Sequence, residues 1–291
     1  MKIYFPAILV LSALLLTSCG SAGAVSETAQ QPESPESVVA VSKSIGDLWL
    51  LSGGQLSGIT DDGLTLQGIG EDTVSIGTVS NPSLEAILSL SPDIVMLSGD
   101  IPSQKELVQP LEEAGITVYP VNIDSFADYE TVMKDLTDMT GRGDLYKTNV
   151  TDVADRIGQI KAKASTFQEE TCLALRISAT KSKVLKDDSF ITEILNDLRL
   201  TNLAADSSAL NELNAEAIAD MDPDYIFIVY GGDESEAESV YETMFAASPL
   251  WQNLTAVKTG HVCHLPKDLF QYKPNARWDE AYEYIYDIRK E

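Results

Sequence analysis

The two histidines of the chain are the first candidates for metal chemistry. His261 and His264 lie three residues apart in an apolar stretch that is predicted to be a strand. Side chains alternate between the two faces of a strand, so this spacing puts the two imidazoles on opposite faces. A zinc or manganese site usually draws several histidines and carboxylates together. The sequence therefore predicts no directly bound metal ion, with one histidine facing the core and the other facing solvent.

Motifs for catalysis are missing from the sequence as well. It contains no Gly-x-Ser-x-Gly elbow, no phosphate-binding loop, no Cys-x-x-Cys pair and no cluster of histidines. Carboxylates are abundant, but they are not gathered at recognisable spacings. We therefore expect a binding protein, and an enzyme or sensor on the same scaffold is the less favoured alternative.

The charge balance excludes one class of partner. The chain has 45 acidic and 20 basic residues and a formal net charge of −25. A chain of this charge is repelled by nucleic acid and by anionic lipid. Because the acids are spread along the chain, they indicate a solvated surface rather than an acidic tail. No nucleic-acid partner is expected.

Short β-rich runs alternate with amphipathic helical segments, a pattern that predicts α/β layers with largely parallel sheets. The predicted strands cover residues 38–41, 94–97, 117–121, 172–177, 225–230 and 262–265. Between the third and the fourth strand, apolar residues recur at steps of three and four from Val150 to Ala164, which predicts one long helix over residues 143–165. A single helical connector predicts two lobes held at a nearly fixed angle.

Each half contains one copy of a repeated unit, in which a short helix with a glutamate in its first turn leads into a Pro-Asp pair and a buried strand. The matched positions are Ser83 and Asn214, Glu85 and Glu216, Pro92 and Pro223, and Asp93 and Asp224. The first pair is expected to cap the helix, and the glutamate is favoured by the helix dipole. Helix stabilisation alone explains each glutamate, but the identical spacing indicates two lobes built on one plan.

Candidate ligand-binding residues follow from the predicted sheets, because ligands of open α/β sheets bind beyond the carboxyl ends of the strands. The cations nominated for an anionic ligand are Lys43, Lys267 and Arg277. The aromatic rings nominated for the wall of a concave site are Trp49, Tyr230, Phe270 and Tyr272. The polar residues nominated from the turns are Asn81, Asp100 and Ser178.

Two of these residues have competing interpretations. Trp49 lies on a predicted helix and could equally belong to the core. Arg277 precedes the last helix and could equally pair with a neighbouring acid. Cys172 and Cys263, both in predicted strands, leave a similar choice between one disulfide and two buried free thiols.

The N-terminus carries an export signal. Lys2 is followed by an apolar run and by the small polar pair Thr17 and Ser18, the order of a secretory signal sequence. Spanning a bilayer takes roughly 20 apolar residues, more than this run provides. The order Leu16-Thr17-Ser18-Cys19 resembles a bacterial lipobox, which implies cleavage before Cys19 and a diacylglycerol on its thiol. An ordinary signal peptide with a chance cysteine is the alternative.

The predicted organisation places a flexible polar leash between the anchor and the folded part. Residues 20 to about 36 are rich in Ala, Ser, Glu, Gln and Pro and are too polar to fold. The predicted segments are a signal peptide over residues 1–18, a linker over 19–36, an N-terminal lobe over 37–142, a connecting helix over 143–166 and a C-terminal lobe over 167–291.

The order of these motifs resembles the extracytoplasmic substrate-binding proteins that deliver iron-siderophores, haem or cobalamin to ABC importers. The resemblance rests on the repeated unit, on residues 188–204, on Pro249-Leu250-Trp251 and the segment up to Val262, and on Tyr272 to Trp278. It implies two Rossmann-like lobes with mainly parallel sheets, joined by one rigid helix, and a ligand cleft between them.

The family resemblance also implies partners and roles. Glu85 and Glu216 correspond to the glutamates that dock each lobe on the ABC permease, which works with its ATPase. The implied protein is a monomer without an intrinsic cofactor, anchored by lipid to the outer face of the cytoplasmic membrane. The expected ligand is a ferric chelate of the siderophore type. For the alternatives, cobalamin or haem, the axial ligand of a haem could be His264, Tyr272 or Met96.

Overall fold

The computed structural model describes residues 35–205 and 215–290. Cys19, the signal sequence, most of the predicted leash and Asn214 lie outside the described residues. Within the described part, no helix combines the length and the apolar character needed to cross a bilayer.

The N-terminal lobe is built on a parallel five-stranded sheet in the order β3-β2-β1-β6-β7. A two-stranded antiparallel ribbon, β4-β5, lies beside it. The strands are β1 Val38–Ala40, β2 Gly58–Ile59, β3 Val74–Ser75, β4 Gly77–Thr78, β5 Asn81–Pro82, β6 Ile94–Ser98 and β7 Thr117–Val121. The helices up to the end of the connector are α1 Lys43–Leu51, α2 Leu84–Ser89, α3 Pro102–Glu113, α4 Phe126–Thr140, α5 Gly143–Tyr146 and α6 Asp152–Ala164.

The C-terminal lobe repeats the plan with parallel strands in the order β10-β8-β11-β12, and β9 pairs antiparallel with β8. Its strands are β8 Glu170–Ile177, β9 Lys183–Val184, β10 Leu200–Asn202, β11 Tyr225–Tyr230 and β12 Val262–His264. Its helices are α7 Phe190–Asp197, α8 Ala215–Met221, α9 Glu234–Tyr241, α10 Pro249–Gln252, α11 Thr255–Thr259, α12 Lys267–Phe270 and α13 Trp278–Lys290. The predicted α/β fold with mainly parallel sheets is confirmed.

The two copies of the repeated unit have the same local structure. The residue before each proline has a left-handed backbone, with φ of 46° at Ser91 and 43° at Asp222. The aspartate after each proline then accepts backbone N–H groups from the neighbouring strand. Asp93 Oδ2 accepts from Glu36 and Ser37 next to β1, and Asp224 Oδ2 accepts from the backbone and the hydroxyl of Thr171 in β8. The Pro-Asp pair therefore ties two adjacent strands together in each lobe.

A continuous helical segment joins the lobes, because a π turn over Lys147–Thr151 links α5 to α6. Its buried face consists of the predicted residues Val150, Val153, Ile157, Ile160 and Ala164. These side chains belong to one apolar core that also includes Ala40 and Met96 of the N-terminal sheet and Ala174 and Phe227 of the C-terminal sheet. The connector is therefore packed into both lobes, as expected for a rigid link.

Each sheet has a second apolar face that is covered by its own lobe. In β1, Val38 and Ala40 face the shared core, whereas Val39 and Val41 face an N-terminal cluster. In β11, Phe227 and Val229 face the shared core, whereas Ile228 and Tyr230 face a C-terminal cluster. Burial on both faces explains the nearly continuous apolar runs of these strands.

The two strand cysteines are not joined by a disulfide. Cys172 of β8 lies opposite Tyr225 of β11, and Cys263 of β12 lies opposite Phe227 on the other side of β11. Two strand spacings alone put the Cα atoms of the cysteines at least about 9 Å apart, beyond the Cα separation that a disulfide tolerates. Burial is the main cause that raises the pKa of the Cys172 thiol to about 12, and the charge of Asp187 adds to it. Cys172 therefore acts as a small apolar core residue.

Candidate functional site

A cavity of about 320 Å³ lies between the two lobes. From the N-terminal lobe it is lined by Ser42, Lys43, Ser44, Ile45, Leu48, Asp62, Val79, Ser98, Ile101, Val121 and Ile123. From the C-terminal lobe it is lined by Arg176, Gln271, Tyr272 and Lys273. The cavity lies at the carboxyl ends of β1, β6, β7 and β8, where open α/β sheets bind their ligands.

The N-terminal side of the cavity is built from strand ends and from the start of α1. The hydroxyl of Ser42 caps α1 by accepting the backbone N–H of Ile45. In β6, Ser98 follows Met96 on the face that points to the shared core, so it appears at the cleft where that core ends. This side offers hydroxyls, apolar contacts, one ammonium group and the carboxylate of Asp62.

Arg176 is the most unusual residue of the cavity. It lies near the end of β8, on the same face as Cys172 and Ala174, and therefore points from the shared core into the cleft. Among the described residues, no hydrogen bond or ion pair satisfies its guanidinium group. Burial lowers the pKa of Arg176, the direction expected for a cation removed from water.

Lys273 reaches across the cleft from the C-terminal lobe. Its Nζ lies 3.2 Å from Oδ1 of Asp124, which follows β7 of the N-terminal lobe. Burial lowers the pKa of Lys273, while Asp124 and Asp100 oppose this shift and Arg176 adds to it. The repulsion by Arg176 shows that two cations of the C-terminal lobe face the same small volume.

Tyr272 provides the aromatic surface of the cavity. The ammonium of Lys43 lies 5.6 Å from the centroid of its ring, a cation–π contact between the two lobes. Burial, with a smaller contribution from Asp62, raises the pKa of the Tyr272 hydroxyl, so this group stays protonated and can donate a hydrogen bond at neutral pH.

A second cavity of about 320 Å³ adjoins the first and shares Lys43, Ser44, Tyr272 and Lys273 with it. It is further lined by Asp47, Thr65, Leu66, Gln67, Asp268, Pro274, Asn275 and Arg277. Arg277 forms ion pairs with Asp268 and Glu280, so its charge is already matched and its interpretation as a pairing residue is supported.

The expected aromatic wall is corrected by the structure. Of its four rings, only Tyr272 lines the cavity. Trp49 and Phe270 are 1% and 0% exposed inside the shared core, and the indole N–H of Trp49 donates to the carbonyl of Gln55. Tyr230 occupies a β11 position whose side chain points to the outer cluster, away from the cleft. These three rings have no surface from which to contact a ligand in the cavity.

The other nominated polar residues lie outside the cavity wall. Asn81 is exposed in β5, where Val79 lines the cavity instead. Asp100 is exposed; its backbone N–H donates to the hydroxyl of Ser98, and its charge acts on Lys273. The hydroxyl of Ser178 donates to the carbonyl of Lys181, and Lys267 donates to the carbonyl of Gly232. Of the nominated cations, only Lys43 lines the first cavity.

The sequence interpretation missed Arg176, Lys273 and Asp62 as individual residues. A signal for Arg176 was available, since an arginine between Leu175 and Ile177 interrupts an otherwise apolar strand. Lys273 lies within the segment nominated as a strand-end loop, but its reach toward Asp124 depends on the lobe arrangement.

The candidates for metal or haem ligation are widely separated. His261 stacks on Tyr225, and His264 contacts Tyr230 and Tyr241 of the outer cluster, so the two imidazoles lie on opposite faces as predicted. Met96 is 1% exposed in the shared core. Tyr272 is therefore the one proposed axial ligand that lines the cavity. Among the described residues, no three His, Cys, Asp or Glu side chains are grouped to hold a metal ion.

The two repeated glutamates occupy equivalent exposed positions. Glu85 lies in the first turn of α2 and Glu216 in the first turn of α8. Each helix leads through a short turn into the start of a strand, α2 into β6 and α8 into β11.

Comparison with known proteins agrees with this architecture. The chain is 28% identical over 224 residues to the Fe(3+)-citrate-binding protein YfmC of Bacillus subtilis, covering 72% of this chain and 67% of that protein. It is 27% identical over 283 residues to the putative ABC transporter substrate-binding lipoprotein YhfQ of the same organism, covering 89% and 84%. The crystal structure of Staphylococcus aureus IsdE complexed with heme has the same fold, with a TM-score of 0.77, 21% identity and coverage of 87% of this chain and 98% of that one.

The profile of the family described as periplasmic binding protein matches residues 38–269, a range that contains both sheets, the connecting helix and most of the cavity wall. A two-lobed α/β protein with a polar cleft at its strand ends is what such a family requires. The chain belongs to the periplasmic binding protein family.

Proposed function

We propose that this chain is the solute-binding lipoprotein of an ABC importer and that its cleft captures a ferric chelate of the siderophore type. One observation carries the choice of ligand. In a protein with a net charge of −25, the cavity is lined by three cations, Lys43, Arg176 and Lys273, against one carboxylate, Asp62. Cations concentrated in a cleft of an acidic protein fit an anionic ligand.

The state of these cations supports the proposal. Arg176 is desolvated without a protein partner among the described residues, which is unfavourable unless a ligand supplies the opposite charge. An acidic chelate can accept charge-assisted hydrogen bonds from its guanidinium. The curated relative YfmC is named for binding Fe(3+)-citrate, an anionic chelate of the same class.

The delivery step rests on two further features. An acylated Cys19 and a polar leash would hold the binding protein near its permease and raise the effective concentration of the complex. The exposed Glu85 and Glu216 would seat the two lobes on cationic groups of the permease. In this proposal the protein acts as a monomer on the outer face of the cytoplasmic membrane, and it has no cofactor of its own.

Haem is the second candidate ligand, and Tyr272 favours it over cobalamin. Tyr272 lines the cavity and the ammonium of Lys43 lies over its ring, so an iron ligand and a partner for a carboxylate lie together. Cobalamin carries one anionic phosphodiester and otherwise neutral amide side chains, so it matches the three cations of this cleft less well than a multiply charged chelate does.

A ligand panel tests the proposal. Quenching of tryptophan fluorescence would be titrated with ferric citrate, the ferric trihydroxamate ferrioxamine B, a ferric triscatecholate, haemin and cyanocobalamin. The metal-free chelators serve as controls. We expect tight binding of a negatively charged ferric chelate and weak binding of cyanocobalamin. Binding of cyanocobalamin alone, or of none of the five compounds, would contradict the proposed function.

Haemin needs its own readout. A Soret band in protein purified from its host, which shifts in the variant Tyr272→Phe, would move the assignment to haem. Retention of the same Soret band in that variant would exclude Tyr272 as the iron ligand.

A further inference from the structure

A buried amide side chain connects the two lobes beside the cleft. Asn275, in the turn before α13, is 1% exposed. Its Nδ2 donates to the carbonyl of Ser44 at 3.0 Å and to Oδ2 of Asp47 at 2.7 Å, and both acceptors belong to α1 of the N-terminal lobe. We call Asp47 and Asn275 the clasp. The backbone of Asn275 has a φ of +51°, a conformation that asparagine tolerates better than most residues.

The hydrogen bonding of the clasp is incomplete when the carboxylate of Asp47 is ionised. Oδ1 of Asn275 is buried and accepts no hydrogen bond from the part of the chain that the structure describes. Buried polar atoms in native proteins are nearly always paired. The adjacent Asp47 carboxylate has no proton to offer when it is ionised, but its acid form has one. A carboxylic acid and a primary amide can pair through two hydrogen bonds, one from N–H to the acid carbonyl and one from O–H to the amide carbonyl.

We propose that Asp47 and Asn275 form a proton-linked clasp that positions the two walls of the cleft, and that the acid form of Asp47 donates its proton to the unpaired Oδ1 of Asn275. No bond other than hydrogen bonds changes in this step. The proton comes from solvent and returns to it. The clasp tightens on protonation because one buried acceptor gains a donor.

The surroundings of Asp47 favour a proton. Burial raises the pKa of its carboxyl, and it outweighs the hydrogen bond from Asn275 and the nearby charges of Lys43 and Arg277, which act in the opposite direction. Tyr129 of α4 is also close to Asp47. Burial is the main cause that raises the pKa of the Tyr129 hydroxyl, and the negative charge of Asp47 adds to it. Asp47 lines the second cavity, and the remaining ionisable groups on the wall of that cavity are Asp268, Tyr272 and Lys273.

The clasp is placed to influence ligand binding, an inference that rests on the proposed function. Lys43 lies one helical turn before Asp47 on α1, and Tyr272 and Lys273 lie three and two residues before Asn275, respectively. The clasp therefore fixes the separation of the side chains that line the cavity from opposite lobes. Asp47 and Asn275 are positioning residues, because neither lines the first cavity.

Ligand-free protein provides the first test. An acid whose pKa is higher in the folded than in the unfolded protein stabilises the fold at low pH, and this contribution is lost as the pH rises from about 3.9 through the raised pKa. The melting temperature of the wild type, relative to that of Asp47→Asn, should therefore fall over this window and then stay constant. Asparagine at position 47 can donate to Oδ1 at every pH, so it mimics the acid form.

Ferric citrate provides the second test. At each pH, the ratio of the affinities of wild type and Asp47→Asn removes the pH dependence of the chelate itself. We expect this ratio to fall severalfold as the pH rises through the raised pKa of Asp47. Asp47→Ala should weaken binding about tenfold at every pH, and Asn275→Gly, which keeps the left-handed backbone accessible, should do the same.

Each result decides a separate question. If wild type and Asp47→Asn have parallel pH profiles of melting temperature, the proton-linked clasp is wrong, whatever binds in the cleft. If ferric citrate does not bind the wild type, that ligand assignment fails while the melting profiles still decide the clasp. Unchanged affinity in both Asp47→Ala and Asn275→Gly would show that the clasp does not position the cleft.

Discussion

The two lobes share a frame but contribute different chemistry to the cleft. Both have parallel sheets, both place a Pro-Asp pair between a short helix and a central strand, and both use that aspartate to hold a neighbouring strand. The N-terminal lobe brings strand-end hydroxyls and the start of α1 to the cavity. The C-terminal lobe brings Arg176, Tyr272 and Lys273.

The difference separates residues that make the fold from residues that line the cavity. The repeated positions are occupied by similar residues in both lobes because each lobe contains the same turn from a helix into a strand. The cavity positions differ between the lobes, since two of the three cations, Arg176 and Lys273, come from the C-terminal lobe. The N-terminal lobe contributes the opposite charges of Lys43 and Asp62 on an otherwise neutral wall.

The largest expected effect tests whether the lobes act equally in docking. The double variant Glu85→Gln/Glu216→Gln should abolish uptake of the ferric chelate in cells and leave its affinity for purified protein unchanged. Each single variant should lose part of the uptake, because each carboxylate serves one lobe. Uptake of radioactive iron and fluorescence titration measure the two quantities.

A matched control uses exposed glutamates elsewhere on the two lobes. Glu112→Gln/Glu283→Gln changes the net charge by the same amount and should leave uptake intact. A loss of affinity in the Glu85/Glu216 variant would move these residues into ligand binding and overturn their docking role.

Arg176 tests the asymmetry of the cleft. Arg176→Met should weaken binding of an anionic ferric chelate by about 2 to 5 kcal/mol, the usual effect of removing one partner of a buried charge pair. The ligand-free protein should become more stable by about 1 kcal/mol, since a desolvated charge without a partner is replaced by an apolar side chain. Titration and urea unfolding measure the two changes.

Lys183→Met is the control for Arg176. Lys183 lies opposite Arg176 on β9 but is exposed and does not line the cavity. Its substitution should change neither quantity. Equal losses of affinity in the two variants would show that net charge, and not the position of Arg176, governs binding.

Substitution of the equivalent aspartates, Asp93 and Asp224, compares how much the repeated unit stabilises each lobe. Asp224→Ala should lower the free energy of unfolding by about 2 kcal/mol and Asp93→Ala by about 1 kcal/mol. Asp224 is partly buried and bonds both the backbone and the hydroxyl of Thr171, whereas Asp93 is exposed and bonds two backbone N–H groups. Urea unfolding of both variants gives the difference, and the opposite order would show that burial does not distinguish the two sites.

The smallest expected effect concerns relative motion of the lobes. Because one apolar core runs through the connector and both sheets, ligand binding should change the radius of gyration by about 1 Å or less. Small-angle scattering with and without ferric citrate measures this change. A decrease of several ångströms would mean that the lobes close like a hinge.

Much of the frame could be predicted from local patterns. The predicted strands and the connecting helix are present with shifts of one or two residues at their ends. These elements follow from short-range rules, namely strand alternation, helical periodicity and the effect of proline on the preceding residue. The boundaries of the two lobes and of the segments before them remain predictions.

The cavity wall was less predictable, for a physical reason. The rule that ligands bind beyond strand ends nominated the right loops, and Lys43 and Tyr272 are among their residues that line the cavity. It could not tell which side of a strand faces the cleft. Tyr230 is the last residue of β11, and Arg176 is the last but one of the neighbouring strand β8. Their side chains nevertheless point to opposite faces of the sheet.

The sequence by itself determined the α/β repeat, the connecting helix and the acidic surface, because periodicity and composition act over short distances along the chain. Only the tertiary structure decided which cations meet in the cleft and that Asn275 reaches Asp47, residues more than 200 positions apart. Such contacts depend on how two lobes pack around one core. No local pattern contains that information, since the packing is set by all of the buried side chains together.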